Sequence, residues 1–370
     1  MVLDSLAVME SASCSLGENT GSSLVTVPDA VRSAVLDLLG YCRGEEWSGW
    51  DPYDGLNSRL FQATPLSRFG VARLAWTQLF KRCPVNLRRI AFVPRGQNPK
   101  GIALFVSALV RLARHGMVEE SEVFALAGRL LELRSPGQKQ FCWGYNFDWQ
   151  TRSYLVPRFT PNVICTSFAG NAFLDAYEVS GRNDLLDVAL SAGEFLLRGL
   201  NRSGDSDVFC FSYTPLDRGR VHNANLLGAA LLARLHCYRA SDEFRTAAMA
   251  ATRYGVGHQA ADGSWPYGDG PKQRWIDSFH TGYNLCALEC VRKCLDWQEL
   301  QGPIEKGYRF YLDHFFESDG RVKYFHDRTY PVDIHAIAHA LVTLCGLSEY
   351  DPRSLDIARA VFDWAMRNMR

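Results

Sequence analysis

The sequence predicts an all-α chain, an (α/α)6 toroid of six helical hairpins with apolar inner helices and amphipathic outer ones. Three observations carry that expectation. Long segments place apolar residues at helical spacing, and no convincing strand pattern interrupts them. Within most pairs the first helix is apolar all round, as in NVICTSFAGNAFLDAY and DIHAIAHALVTLC, which marks a buried helix. The second is amphipathic, as in NDLLDVALSAGEFLLRGL, which marks a peripheral one. First helices begin near 99, 162, 222, 276 and 333, an internal repeat of roughly 55–63 residues.

Taken in order, residues 1–24 form a Ser- and Gly-rich tail that reads as disordered and lacks the basic and apolar regions of a signal peptide. Residues 25–370 read as a single toroid domain. Its first hairpin, within 25–97, is irregular, with helices expected over 29–41 and 66–82. Regular pairs follow with starts near 99 and 119, 162 and 183, 222 and 242, 276 and 303, and 333 and 354. Turn signals such as Gly137, Ser180-Gly181 and Asp319-Gly320 close several of them.

Among the 370 residues, Lys+Arg and Asp+Glu both number 40, so the formal charge is zero. A nucleic-acid binder or membrane-surface protein would show a basic excess. No apolar run is long enough to span a membrane. The 11 cysteines are odd in number and show no CxxC spacing. Cys286, Cys290 and Cys294 stack on one helix face, where they read as small core residues of a reducing, cytoplasmic protein. No cofactor is expected, and the oligomeric state is not legible.

The loops leading into inner helices are rich in aromatic residues: FCWGYNFDWQ (141–150), FCFSYTPLDR (209–218), DGSWPYGDG (262–270) and DGRVKYFHDR (319–328). Ordinary connectors are instead rich in small and polar turn formers. These rings either plug one end of the fold or wall a cleft. Polar groups gather at the same helix starts. Asn and Asp are favoured N-caps, so one per helix needs no function. The surplus suggests a site for a saccharide or another anionic small molecule. Its substrate-binding candidates are Trp143, Tyr145, Asp148, Asn162, Tyr213, Arg218, Asn225, Trp265, Tyr267, Arg274, Tyr324 and Arg328. Arg152 and Arg158 flank the region, and arginines near helix N-termini suit anions unless neighbouring aspartates claim them.

His222, His280, Tyr283, Asp277, Asp333 and His335 are the catalytic candidates. For lyase or epimerase chemistry, His222, His280 or Tyr283 takes the proton α to a uronate carboxylate. Asn225 and Arg274 then stabilise the enolate. For hydrolysis, two of Asp148, Asp277 and Asp333 act together. A zinc site is the alternative, on His222, Asp277 and His280. A non-catalytic glycan-binding scaffold would instead use all these polar groups as local caps.

The twelve-helix repeat resembles the six-hairpin toroids: glycoside hydrolases, unsaturated-uronide hydrolases, polysaccharide lyases and sugar 2-epimerases. Two short stretches are similar to the isoprenoid toroids, the protein prenyltransferase β subunits and squalene-type cyclases. RYGVGHQAADGSWPYG (253–268) resembles their Gln-Trp repeat. DSFHTGYNLCAL (277–288) resembles the segment carrying a zinc-ligating histidine, which implies that role for His280. Where the transferases place an Asp-x-Cys pair, this chain has His222 and Ala224, and it has no DxDD or DDxxD motif. Overall the chain is most similar to a bacterial group of polysaccharide-biosynthesis-associated proteins with no assigned reaction. DPYDGLNS (51–58), NPKGIALF (98–105) and CWGYNFDWQ (142–150) carry that resemblance. It implies a context, polysaccharide biosynthesis, and no reaction. Together with the six-hairpin likeness and the aromatic and arginine residues above, the expectation is a carbohydrate-active enzyme working on an acidic saccharide in polysaccharide metabolism. The isoprenoid likeness implies a transferase or cyclase as the alternative.

Overall fold

The computed structural model describes residues 27–151 and 154–369. The tail expected over 1–24 and Arg152 lie outside the described residues. Tertiary contacts fall into two compact units, one of Asp29–Phe195 with Thr214–Leu216 and one of Leu196–Tyr213 with Asp217–Arg370.

The N-terminal unit opens with α1 (Asp29–Gly44), the single turn α2 (Arg59–Gln62) and α3 (Gly70–Arg82). The helix expected from 66 is split. Pro65 starts a short 3-10 turn that ends at Arg68, Phe69 is extended, and α3 begins only after it. Then come α4 (Pro99–Arg114), α5 (Glu120–Glu132), α6 (Val163–Ser180) and α7 (Asn183–Gly199), with the unit boundary inside α7. Asn98 caps α4 through its Oδ1 on the Lys100 N–H, with Pro99 at the first helical position, where its missing N–H costs nothing. α6 is buried on every face and packs against α4, and α4 also packs against α5. Strands were not expected, yet β1 (Trp149–Gln150) and β2 (Leu155–Val156) pair antiparallel within an aromatic connection.

The C-terminal unit holds the ribbon β3 (Arg202–Gly204) and β4 (Phe209–Phe211). Three hairpins follow: α8 (His222–Tyr238) with α9 (Asp242–Gly257), α10 (Ser278–Cys294) with α11 (Gln301–His314), and α12 (Ile334–Gly346) with α13 (Ser354–Asn368). α10 packs on both α8 and α12, while α9, α11 and α13 each back their own partner. The inner row is therefore α8–α10–α12, as the apolar pattern predicts. Small residues let it close up. A Cβ on Gly282 of α10 would stand 2.6 Å from the Thr343 hydroxyl and 2.9 Å from the His339 ring of α12. Two of these inner helices start at carboxylate caps, Asp277 for α10 and Asp333 for α12.

Candidate active site

The start of α10 carries the most developed chemistry. Asp277 is buried, and its Oδ1 accepts the His280 backbone N–H at 2.9 Å, as an N-cap should. Its Oδ2 lies 2.7 Å from Nδ1 of the His280 ring and also accepts the Trp275 indole N–H at 3.1 Å. The three-residue spacing puts cap and ring on the same face of the first turn. With Nδ1 held by the carboxylate, Nε2 is the ring's open position. It makes no hydrogen bond among the described residues, and the side chain is 22% exposed. An imidazole oriented by a buried carboxylate, with its far nitrogen free, is equipped to take and return a proton.

A second imidazole stands nearby. The Phe279 ring lies 4.1 Å from the His280 ring and 4.6 Å from that of His335 on α12. His335 Nε2 is 2.9 Å from the Tyr283 hydroxyl. Burial pushes the Tyr283 phenol well above its ordinary pKa, so it remains protonated and is a poor base. Tyr283 stands here as a hydrogen-bond partner to His335. The Asp333 Oδ1 accepts the backbone N–H groups of His335 and Ala336. It is a cap in use.

One wall comes from the loop before α10. Tyr267 and Trp275 stack at 4.6 Å, and Tyr267 also lies 4.7 Å from the His280 ring. The Tyr267 N–H donates to the Trp275 carbonyl, closing the loop on itself. Trp275 is 39% exposed, an open aromatic face of the kind that stacks on sugar rings. Arg274 beside it is exposed and makes no ion pair among the described residues. Tyr324 meets Phe279 edge-on at 5.4 Å, and its carbonyl accepts the Ser278 N–H.

His222 belongs to another network. It is almost fully buried, with Nδ1 at 2.8 Å from the Pro266 carbonyl and Nε2 at 2.8 Å from Asp269 Oδ1. Because a carbonyl only accepts, Nδ1 carries a hydrogen, and the Nε2–Oδ1 contact becomes a hydrogen bond when the pair holds one further proton. The Tyr254 hydroxyl bonds to the other carboxylate oxygen, and Arg220 stands 3.3 Å from it. Burial lowers the pKa of His222, with the Asp269 bond opposing it. For Asp269, burial acts upward, and the bonds from Tyr254 and His222 outweigh it, holding the carboxyl below its ordinary range. With both nitrogens engaged, His222 is not an open base, contrary to expectation.

The alternative zinc set also needs correction. Among the described residues, the group whose ligand atoms come within 4.8 Å of one another is His222, His258 and Asp269, not His222, Asp277 and His280. Even there, Nε2 and Oδ1 at 2.8 Å sit at hydrogen-bond distance, whereas ligands of a tetrahedral zinc stand about 3.3 Å apart.

Several other candidates are held in local contacts. Asn225 is fully buried and spends its amide on the Phe211 N–H and the Ala251 carbonyl. Trp265 is buried, with its indole on the Gly255 carbonyl. In the N-terminal unit, Trp143 is buried with its indole on the Leu130 carbonyl, and Asn162 caps α6. Tyr145 stacks on Phe147, and Asp148 accepts the Arg158 N–H. Arg328 pairs with Asp327, Tyr213 donates its N–H to Asp217, and Arg218 is exposed. Sequence reasoning missed Trp275, Phe279, Asp269 and Tyr254. Trp275 and Phe279 lie in the stretch QRWIDSFHTGYNLCAL (273–288), where alternating aromatic and polar residues at a helix start were the available signal. Asp269 and Tyr254 reach His222 only through tertiary folding.

This is an all-α chain of helical hairpins with a carboxylate-oriented histidine at an inner-helix start. No family model matches the chain, and no curated protein matches it in sequence. Solved structures do resemble it. The chain is similar to a cellobiose 2-epimerase from Bacillus thermoamylovorans B4167, at 8% identity and a TM-score of 0.54, over 85% of this chain and 86% of that one. It is similar to an unsaturated glucuronyl hydrolase from Bacillus sp. GL1, at 15% identity and a TM-score of 0.53, over 73% of each chain. A sugar epimerase from a ruminal bacterium aligns at 13% identity and a TM-score of 0.54, over 74% of this chain and 77% of that one. These likenesses show the fold, the (α/α)6 toroid that the repeat predicts.

Proposed function

We propose that the protein is a carbohydrate-active enzyme that moves a proton at a carbon of an acidic saccharide, by epimerase or lyase chemistry centred on His280. The observation that carries this reading is the Asp277–His280 dyad, with Nε2 open beside the Tyr267–Trp275 wall. His280 takes the proton α to a carbonyl or carboxylate. The protonated ring is then stabilised by the Asp277 carboxylate at 2.7 Å. Arg274, exposed and unpaired among the described residues, suits a uronate carboxylate or a phosphate. His335 with Tyr283 offers a second proton-handling pair close by.

Two-carboxylate hydrolysis fits less well. Both Asp277 oxygens are engaged, and Asp333 is held as a cap. The sugar-processing activities named for the structural neighbours support the substrate class. The described cysteines are all free, which supports a reducing, cytoplasmic location. Among the described residues no helix is long and apolar enough to cross a membrane.

The test is incubation with uronate-bearing and reducing oligosaccharides in deuterated water, read by NMR. Deuterium should appear on the carbon next to the carbonyl, or a double bond should form with loss of that proton. His280→Asn should abolish either signal. Product formed without exchange or loss of a carbon-bound proton, or at an unchanged rate in His280→Asn, would sink the proposal.

A further inference from the structure

Three stretches singled out in the sequence have no part in the chemistry above: DPYDGLNS (51–58), NPKGIALF (98–105) and CWGYNFDWQ (142–150). Within the N-terminal unit they meet around one cavity of about 230 Å³. Asp51, Asn57, Asn98, Phe105 and Asn146 line it, together with Trp47 and Trp50. The convergence is built by side chains. Asn98 donates its amide N–H to Asp51 Oδ2 at 3.1 Å, and Asn57 donates its own to the Asn146 carbonyl at 3.1 Å.

The lining is chemically specific. Trp47 and Phe105 form an aromatic corner with ring centroids 4.8 Å apart, and the Trp50 indole is fixed on the Val93 carbonyl. Opposite chemistry comes from the carboxylate and amides. No lysine, arginine or histidine is among the lining residues, so nothing there holds an anion. The acids do not call for a cationic ligand either. Glu45 pairs with Arg95, Asp54 pairs with Arg88 at 2.7 Å, and Asp51 is hydrogen-bonded by Asn98 and by the Tyr53 N–H. One polar group is left over. The Asn146 Oδ1 is buried with no hydrogen-bond partner among the described residues, a state that native proteins seldom leave uncompensated. Gly96 leaves room for that amide, since a Cβ there would come within 2.7 Å of its Nδ2. The volume falls below the roughly 300–1,000 Å³ of sites for drug-sized ligands, which limits the occupant to about one ring.

We infer that this cavity binds a single neutral pyranose, its ring faces against Trp47 and Phe105 and a hydroxyl donating to Asn146 Oδ1. Aromatic faces meet the C–H faces of the sugar, and the planar amide and carboxylate groups meet its hydroxyls. The inference does not depend on the reaction proposed at His280.

The experiment uses the full chain carrying His280→Asn, so that turnover plays no part. Binding of methyl glucoside, methyl mannoside and methyl galactoside is followed by titration calorimetry and ligand-observed NMR. Saturable binding of at least one is expected. Two variants locate it. A Cβ at Gly101 meets only the Asn98 Cβ, at 3.9 Å, so Gly101→Leu fills the cavity from a helix position that tolerates a side chain. It should remove binding while leaving the melting temperature unchanged or higher. Asn146→Ala removes an amide whose oxygen has no partner in the free protein, and should weaken binding about tenfold. Absence of binding by all three glycosides would overturn the inference. So would binding unaffected by Gly101→Leu, or a clear preference for glucosamine or glucuronate that the Leu variant removes. Failure here leaves the deuterium-exchange result at His280 untouched, and the reverse also holds.

Discussion

Asp277 does two things with one carboxylate: it caps α10 and it orients His280. Asparagine is an equally good cap but presents a neutral oxygen or an N–H to Nδ1. Asp277→Asn should therefore keep the melting temperature within a few degrees while lowering kcat for proton exchange by about 10²-fold or more. Equal activity in the variant would remove Asp277 from the mechanism. The His222–Asp269 pair predicts a pH effect on stability. Both groups sit below their ordinary pKa when folded, so the unfolded chain binds more protons and acid favours it. Stability is full above the ordinary histidine pKa of about 6.5 and falls as pH drops through the folded His222 value. A further loss follows below about 3.9, the ordinary value for aspartate, as Asp269 titrates. Melting curves taken from pH 7.5 down to 4 should show the first fall in the wild type, and it should change in Asp269→Asn. The residue scale is also where sequence reading was uneven. Asp277 and His280 were legible because a helix start and a three-residue spacing are local facts. Asn225 was misread because its acceptor partner and donor partner, Ala251 and Phe211, are 26 and 14 residues away, and nothing nearby marks them.

At the scale of elements, α10 and α12 approach so closely that Gly282 has no room for a methyl group. Gly282→Ala should destabilise by about 1–3 kcal/mol through overpacking, against the small gain in helix propensity. Urea unfolding measures it, and a neutral result would mean that α10 and α12 move apart at little cost. Asn225→Ala should cost about 2–4 kcal/mol, because it strands a buried N–H on β4 and a buried carbonyl on α9. The hairpins themselves were legible, since burial on all faces versus one face is written into each helix. The ribbons were not: β1 through β4 are two or three residues long, too short for alternation to show. The helix expected from 66 failed for a local reason, the proline start and the extended Phe69 that separate the 3-10 turn from α3.

For the whole molecule, equal numbers of acids and bases and a pI near 7.1 leave little net repulsion between copies near neutral pH. Solubility at low ionic strength should pass through a minimum close to pH 7 and rise on either side, as turbidity against pH would record. A flat profile would mean that local patches rather than net charge control association. The repeat spacing made the toroid legible at this scale, because each hairpin buries its first helix against the next. The division of contacts into two compact units has no mark in the sequence, since its boundary at Phe195 and Leu196 falls inside the last turns of a regular helix.

The loop between α9 and α10 is fastened at many points along its length. Asp269 holds His222, Tyr267 accepts the His222 N–H, Gly268 bridges to Val221, and Trp275 is tied to both Tyr267 and Asp277. A segment so fastened resists changes of length, because one inserted residue would break several of these ties together. Relatives of this protein that diverge in what they accept would therefore be expected to do so by exchanging Tyr267, Arg274 or Trp275 in place. Anyone altering what the proposed site accepts has the same route, with saturation libraries at those three positions preferred to loop grafts.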